Sequence, residues 1–458
     1  MPRQIGHILF SALVLFSLSS CAGNKATVKN DIDMPESWQS ATQSGAFDAA
    51  TGWLDDLDDG HLKSLVAEAI ESNHTLKAAK ARAQAAGALS RIAGAPLLPA
   101  AEIGADASRR GSDTSTENSF SLSGTISWEA DLWGRLGNGV RAAVYDEKAA
   151  FSDYNAARLA LAAEVSLAWV AIIEARQQEA LAVKTGESFR HALNIIEERY
   201  RLGLNAALDV RLARAEVASA DSDIARRRRE LDGLKRRIEV LMGRYPSAEL
   251  NAAETLPRIL RPVPAGLPSE LLGRRPDLVA AELRLSAAGE ELRQAGKNRL
   301  PSIRLTASGG YGSSDLDELL DGDNLLWNLM AGITQPIFQG GKLKAEEALA
   351  RSGQAEALEE YSGAALIAFR EVETALAAQV LYEEQLTFLD EACRESSIAV
   401  ELALSQYAEG LTDVTTLLQS QQRAFNAKST SLRTERERLD NRINLYLALG
   451  GDFLTTQD

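Results

Sequence analysis

The feature that most constrains the fold is that the chain repeats itself about two hundred residues later. The first half and the second half can be aligned at two offsets, 202 and then 207, so five residues are added in the second copy. A chain of this kind builds one structural unit twice about a quasi-symmetric axis. The matched positions are Leu76/Leu278, Arg82/Arg284, Gly87/Gly289, Gly94/Gly296 and Pro99/Pro301 at offset 202, and Glu164/Glu371, Val165/Val372, Ala168/Ala375, Tyr200/Tyr407 and Gly203/Gly410 at offset 207.

Each copy contains a very long tract without proline. The tracts 138–202 and 341–409 hold 65 and 69 residues, so each would be a helix about 100 Å long at a rise of 1.5 Å per residue. The returning tracts 206–243 and 413–450 would each be about 57 Å long. Six of the twelve prolines lie in 246–276, which predicts irregular structure between the copies.

Each copy also contains two stretches that alternate with period two. In "SFSLSGTISWE" (119–129) apolar side chains on one face alternate with serine and threonine on the other, which is typical of a β-strand. A soluble sheet covered by helices would show the same alternation. The match of an apolar face with a face of small polar residues favours a membrane β-barrel around water. The predicted strands are about 99–109, 119–130, 301–312 and 325–337.

Proline and glycine mark the boundaries between helix and strand. The helical tracts 61–93 and 275–298 end shortly before Pro99 and Pro301, and proline lacks the N–H that a helix interior needs. The segments "DLWGRLG" (131–137) and "PIFQGGKL" (336–343) turn strand back into helix, with glycines that permit the bend.

Three aromatic residues lie beside these turns, namely Trp128, Trp133 and Phe338. Aromatic side chains are enriched where a membrane protein meets the lipid–water interface. We therefore predict that the three residues mark the edge of the barrel.

The N-terminus has the pattern of a targeting segment. Arg3 precedes the apolar run "ILFSALVLFSLSS", which is too short for a spanning helix and leads directly into Cys21. This resembles a bacterial lipobox, in which Cys21 becomes the lipidated first residue; an ordinary signal peptide with an incidental cysteine is the alternative. The remaining cysteine, Cys393, lies in a helical tract and is predicted to be a small packed side chain.

Composition argues against several classes of function. The formal net charge is −15, which does not suit a nucleic-acid partner. The sequence has no glycine-rich phosphate loop, no histidine pair at metal-ligand spacing and no nucleophile motif. We therefore expect neither enzymatic activity nor a metal site, and no cofactor apart from the lipid on Cys21.

Four motifs carry a resemblance to the TolC-type outer-membrane efflux family, and in particular to its lipoprotein branch serving resistance–nodulation–division (RND) pumps. The resemblance covers nearly all of the chain after Cys21. It implies a mainly α fold with a membrane β-barrel, in which three duplicated chains form a twelve-stranded barrel continued by a periplasmic α-helical barrel. Four strands of one chain could not close a barrel in lipid, and three chains supply twelve. The motifs are "LLGRRPDLVAAE", "SWEADLWGRL", "PIFQGGKL" and "FREVETAL".

The resemblance also implies a function and partners. The protein would be the passive outer-membrane exit of a tripartite efflux system in a Gram-negative bacterium, conducting drugs or other small toxic compounds from an inner-membrane RND pump through a periplasmic adaptor. The helix tips would contact the adaptor. The implied contact residues are Leu202, Gly203, Leu204, Gly410 and Leu411.

One departure from the family pattern concerns the periplasmic gate. Relatives carry an aspartate near the end of the motif after the second tip, where three copies form an acidic ring. Here "GLTDVTTLLQSQQ" places Gln419 at that position, and Asp413 lies nearer the tip. The resemblance implies a constriction at Asp413 and Gln419 with weaker attraction for cations. Asp413 could equally be a helix N-cap.

Other readings stay open at this point. The channel could serve type I (ABC) protein secretion or metal-ion efflux, although the histidines are scattered and no methionine cluster occurs. A periplasmic coiled-coil lipoprotein acting as a scaffold would explain the helices but not the strands. The predicted organisation is a signal peptide (1–20), an N-terminal equatorial segment (21–60), a first repeat (61–243), an equatorial proline-rich linker (244–274), a second repeat (275–450) and a tail (451–458).

Overall fold

The computed structural model describes residues 35, 37–40, 53–113, 115–260, 266 and 268–451. Helices dominate this part of the chain. Eight α-helices occur in it: α1 (Gly60–Ser72), α2 (His74–Gly94), α3 (Arg135–Arg201), α4 (Ala207–Leu241), α5 (Pro268–Arg274), α6 (Pro276–Lys297), α7 (Lys342–Glu409) and α8 (Val414–Ala448). Four strands accompany them: β1 (Ala100–Gly111), β2 (Thr116–Ala130), β3 (Ser302–Ser313) and β4 (Leu325–Thr334).

The four strands form one antiparallel sheet in the order β1-β2-β3-β4. In the first hairpin Ala100 is opposite Ser127, and in the second Ser302 is opposite Thr334. These two pairs differ by 202 and 207, the same offsets that align the sequence. The duplication is therefore reproduced in the strand register.

The central strands β2 and β3 have one apolar and one polar face, as the alternation predicts; β4 departs from it, because Met330 is opposite Thr306 on the polar face. Ile126 is opposite Ala307 and Trp128 is opposite Leu305, whereas the neighbouring pair on the other face is Ser127 with Thr306. The outer edges of β1 and β4 have no strand beside them in the described chain.

The predicted end of β4 is wrong by three residues, since the strand stops at Thr334 and not at 337. Pro336 follows two residues later and cannot donate to a strand ladder.

The two long helices are continuous, as their composition predicts. α3 has 67 residues and α7 has 68, which corresponds to about 100 Å each. Gly134 and Gly341 precede them with φ of 68° and 85°, values that glycine adopts without steric cost. The returning helices α4 and α8 have 35 residues each, or about 52 Å.

The tract 61–93 was predicted as one helix, and this is wrong because it breaks at Asn73. The backbone of Asn73 is extended, and its Oδ1 accepts the Leu76 N–H at 2.9 Å to cap α2. Its Nδ2 donates to the Leu241 carbonyl oxygen at 2.8 Å, which also closes the end of α4. An asparagine that caps one helix and bonds the end of another favours a break over a continuous turn.

The second copy forms the equivalent contact between helix ends with a different side chain. Arg275, the equivalent of Asn73 at offset 202, lies between α5 and α6 and donates from Nη1 to the Ala448 carbonyl oxygen at 3.4 Å. Arg275 also forms ion pairs with Asp277 at 2.8 Å and Glu371 at 2.6 Å. We call these two places the equatorial joints: Asn73 with the Leu241 end of α4, and Arg275 with the Ala448 end of α8.

An extended apolar core lies beside the first equatorial joint. Trp53, Trp169 and Tyr446 are buried there with aliphatic residues of α1, α3 and α8. Among the described residues only α3 contains an 18-residue stretch apolar enough by composition to cross a membrane, and 61% of that stretch is buried inside the protein. Core packing therefore accounts for the apolar stretch of α3.

Part of the predicted N-terminal equatorial segment lies on α7. Trp38 is buried with its ring edge against Phe369, at 6.0 Å between ring centroids. The backbone N–H groups of Gln39 and Ser40 donate to the Glu373 carboxylate at 2.7 and 2.9 Å. Cys21 and the predicted signal peptide 1–20 lie outside the described residues, as do 452–458 of the predicted tail.

Asn73→Ala is expected to lower the free energy of unfolding by about 2 kcal/mol, because it removes a helix cap and leaves the carbonyl of Leu241 without its donor. The measurement is chemical unfolding of the detergent-solubilised protein followed by circular dichroism. Asn298→Ala is the matched control, since Asn298 ends α6 with bonds from its backbone. Equal effects of the two substitutions would show that the joint adds nothing.

Candidate functional site: helix tips and strand–helix junctions

The two helix tips are built as the same turn. Gly203 has φ of 76°, its N–H donates to the Tyr200 carbonyl oxygen at 3.0 Å, and the Leu204 N–H donates to the Arg199 carbonyl oxygen at 2.9 Å. This is the Schellman motif, which requires a left-handed residue after the helix.

The second tip repeats this geometry. Gly410 has φ of 77°, the Gly410 N–H donates to Tyr407 at 3.1 Å, and the Leu411 N–H donates to Gln406 at 2.8 Å. Turn chemistry therefore explains both glycines, and it leaves apolar side chains at the tips in water. Leu202, Leu204 and Leu411 are 66%, 62% and 72% exposed.

The two tips are joined to each other within one chain. The Arg199 guanidinium donates to the Ala408 carbonyl oxygen at 3.0 Å and to Asn205 Oδ1 at 3.1 Å, and it lies 5.4 Å from the centre of the Tyr407 ring. The Asn205 amide donates to the Tyr407 hydroxyl. Sequence reasoning missed Arg199 and Asn205, because nothing in the local pattern shows that they contact the other copy.

Copy-related residues at the tips have different surroundings. Tyr407 is buried against Arg199, and this burial raises the pKa of its hydroxyl. Tyr200, its equivalent in the first copy, is 47% exposed. The first copy covers Tyr407 at the tip of the second, whereas the described residues of one chain provide no equivalent cover for Tyr200.

The two residues predicted for the gate are both exposed on the first turns of α8. Asp413 is the N-cap of this helix and accepts the Thr416 N–H at 2.7 Å, a bond that lowers the pKa of its carboxyl group. Gln419 follows two turns later. The buried glutamine of this region is Gln421, which the sequence analysis did not single out and whose Nε2 donates to Ser188 Oγ at 2.8 Å. The role of Asp413 and Gln419 in a constriction stays a prediction.

The two predicted interface tryptophans connect the strand ends to the helix ends by hydrogen bonds. The Trp128 indole N–H donates to the Leu97 carbonyl oxygen at 3.0 Å, and that of Trp133 donates to the Pro301 carbonyl oxygen at 2.7 Å. Phe338 is 87% exposed and lies just before the turn into α7. A tryptophan that satisfies its N–H while its ring lies at the junction has the amphipathic character of an interfacial residue.

A partly buried carboxylate lies where α8 packs on α3. Asp440 pairs with Arg436 at 3.1 Å. Burial raises the pKa of Asp440 to about 6; the carboxylates Glu437 and Glu174 act in the same direction and Arg436 opposes them.

Because the folded pKa of Asp440 lies above its ordinary value, stability falls as pH rises from about 4 to 6 and stays lower above that. The shift corresponds to at most about 3 kcal/mol. Asp440→Asn is expected to flatten this part of the pH profile of unfolding. Asp232→Asn is the control, since Asp232 forms the same type of pair with Arg236 at 2.8 Å on an exposed face. An unchanged profile for Asp440→Asn would contradict the assignment.

Within the described ranges no group of three or more His, Cys, Asp or Glu side chains is placed to hold a metal ion. The described part of the chain thus offers exposed apolar tips, a sheet with a polar face and long helices between them. This arrangement suits conduction and docking.

Comparison with known proteins identifies the family. Residues 65–244 and 267–451 match the family described as Outer membrane efflux protein, with one matched segment in each copy. The chain belongs to the outer membrane efflux protein family. The duplicated helical and β-barrel channel fold expected from the sequence is confirmed, and the protein is an outer-membrane efflux channel.

Named relatives and a solved structure agree with this membership. This efflux protein is 31% identical over 412 residues to the toluene efflux pump outer membrane protein TtgF of Pseudomonas putida, covering 88% of this chain and 86% of the relative. It is 28% identical to the cation efflux system protein CusC of Escherichia coli, covering 96% and 98%. The open state of the MtrE outer membrane channel of Neisseria gonorrhoeae superposes with a TM-score of 0.84 at 29% identity, covering 93% and 96%.

Proposed function

We propose that this efflux channel works as a homotrimer that receives small toxic organic compounds from an inner-membrane RND pump through a periplasmic adaptor. The observation that carries the proposal is the family match across both copies, including both helix tips. The exposed leucines at the tips supply an apolar docking surface at the end farthest from the sheet.

The trimer is supported by the open edges of the sheet. An unpaired strand edge cannot face hydrocarbon, because its backbone groups would have no hydrogen-bond partners. Three copies of the four-stranded sheet supply twelve strands, a plausible number for a closed barrel.

A lipid on Cys21 is part of the proposal and is supported by the sequence alone, in which "LFSLSS" leads directly into Cys21. One lipid modification would tether the chain to the outer membrane without forming a pore. Cys21→Ser is expected to abolish incorporation of labelled palmitate, and retention of the label would contradict this assignment.

The proposed substrate class is organic compounds. The relative TtgF is named for toluene and CusC for cations, so family membership leaves the substrate open. Cation efflux and type I protein secretion are the competing functions. The described residues show no cluster of metal-binding side chains, which gives cation efflux no specific support.

The test is a deletion strain complemented with the wild-type gene. Restored export of a fluorescent dye, without restored resistance to transition-metal cations, would support organic efflux. Crosslinked capture of a tagged protein from the envelope, followed by mass spectrometry, tests the partners. An ABC exporter captured in place of an RND pump would refute the proposal.

The leucines at the tips provide a separate prediction within this assay. Leu204→Glu combined with Leu411→Glu is expected to reduce dye export at least tenfold, because carboxylates would replace the apolar docking surface, while the amount of assembled protein stays the same. Leu320→Glu is the matched control, with a leucine 67% exposed in the β3–β4 loop. Normal export by the tip variant would exclude the leucines from docking.

A further inference from the structure

One contact between the two copies, away from the equatorial joints, consists of a reciprocal pair of hydrogen bonds. Gln178 on α3 donates from Nε2 to the Ser429 carbonyl oxygen on α8 at 2.9 Å, and Ser429 Oγ donates to Gln178 Oε1 at 2.8 Å. The two residues are only 1% and 5% exposed. Buried polar groups paired in this way fix the position of one helix against the other.

The chain carries the same two residue types again at offset 207. Gln385 on α7 is the equivalent of Gln178, and Ser222 on α4 is the equivalent of Ser429. The offset is fixed by structure at both ends of these helices, since Gly134 and Gly341 precede the long helices and Gly243 and Gly450 follow the return helices, all with positive φ. Both Gln385 and Ser222 are exposed, and in the described chain they do not bond to each other.

Apolar residues on α7 are more exposed than their equivalents on α3. Leu366 is 57% exposed, whereas its equivalent Leu159 on α3 is 2% exposed. Val380 is 44% exposed, whereas its equivalent Ile173 is fully buried. Within one chain α8 of the second copy packs on α3, and no described residue covers Leu366 and Val380 on the matching face of α7 to the same extent.

We propose that a second copy of this chain covers that face and repeats the Gln178–Ser429 contact, so that Gln385 hydrogen-bonds with Ser222 of the partner subunit. The inference rests on the proposed trimer and goes further, because it assigns a residue pair to the seam between copies. Within one chain α3 of the first repeat packs on α8 of the second. The same rotation, applied once more, places α7 of the second repeat on α4 of the first repeat in the next chain. The buried pair within the chain is the template for the pair between chains.

The same operation fixes the register of the strand seam. Inside one chain the two copies meet at β2 and β3, where Ser121 is opposite Gly312. Ser121 is equivalent to Asn328 at offset 207, and Gly312 is equivalent to Arg110 at offset 202. The same pairing between chains therefore places Asn328 of β4 opposite Arg110 of the partner subunit. Both residues lie on the polar face of the sheet, so the alternation continues across the seam without a slip.

The experiment uses pairs of cysteines in the full-length protein with Cys393→Ser. Ser222→Cys with Gln385→Cys tests the helix seam, and Gln178→Cys with Ser429→Cys is the reference pair with the same geometry inside one chain. After oxidation, or treatment with a short bis-maleimide, the test pair is expected to give covalent dimers and trimers on non-reducing gels. The reference pair is expected to crosslink at the monomer mass, and each single cysteine is expected to give no trimer.

Arg110→Cys with Asn328→Cys tests the strand seam independently, should the helix variant fail to assemble. Native mass spectrometry of the untreated protein establishes the trimer separately. A trimer in which neither test pair links neighbouring chains would overturn the inference and leave the proposed function standing. A protein that is monomeric in the membrane would overturn both the inference and the proposed trimer. A Ser222–Gln385 crosslink within one chain would overturn the inference alone.

Discussion

Gly310→Ala is expected to abolish the assembled barrel. Gly310 lies in β3 opposite Ser123 of β2, where the two copies meet inside one chain. A Cβ atom at this position would overlap the carbonyl oxygen of Leu122 and lie 2.7 Å from the Cα of Ser123. Both obstacles are backbone atoms, so a change of side-chain rotamer cannot relieve the overlap, and the β2–β3 pairing would have to separate.

The measurement is the amount of protein that migrates as an assembled species when outer membranes are loaded on a gel without heating. Gly312→Ala is the matched control two residues along the same face, where the nearest atom to the new Cβ is a side-chain carbon of Leu326 at 3.6 Å. We expect near-normal assembly for the control and almost none for Gly310→Ala. Normal assembly of both variants would contradict the register between β2 and β3.

Gly450→Ala is expected to destabilise the second equatorial joint by about 3 kcal/mol. Gly450 has φ of 90°, and a Cβ there would lie 3.0 Å from the Arg274 carbonyl oxygen and 3.2 Å from the Arg275 Cα. The strain of a left-handed residue adds to the contact with rigid backbone. The equivalent Gly243 is equally confined, since its Cβ would lie 2.8 Å from the Ser72 carbonyl oxygen.

Chemical unfolding followed by circular dichroism measures this effect. Gly296→Ala is the control, because Gly296 lies within α6 with no atom within 4 Å of a Cβ. That substitution is expected to stabilise the protein by about 0.5 kcal/mol through the better helix propensity of alanine. Equal stability of the Gly450→Ala variant and the wild type would show that the joint tolerates a side chain.

The elements of the fold were largely predictable, because periodicity and chain-breaking residues act locally. The long helices differ from the predicted tracts by only a few residues at either end, and four strands form at the predicted tracts. The predictions failed where a tertiary bond decides the local conformation. Asn73 breaks the first short helix because Leu241 is there to accept its amide.

The candidate site was predictable in part for the same reason. The glycines of the tips follow from turn chemistry, and their positive φ is present in both copies. Arg199 was not predictable, because its partners Ala408 and Tyr407 lie some two hundred residues away in the sequence. Gln421 was missed because a buried and an exposed glutamine on one helix look alike in sequence.

The sequence by itself determined the lengths of the helices, the strand tracts and the positions of the turns, since each depends on residues close together in the chain. It also determined the duplication, which the comparison of the two halves shows directly. Only the tertiary structure decided which member of each repeated pair is buried. Tyr407 is covered and Tyr200 is exposed, and Leu159 is covered while Leu366 is exposed. The physical reason is that the first copy packs against the second on one side only, so the described part of a single chain leaves the equivalent residues on the other side without the same cover.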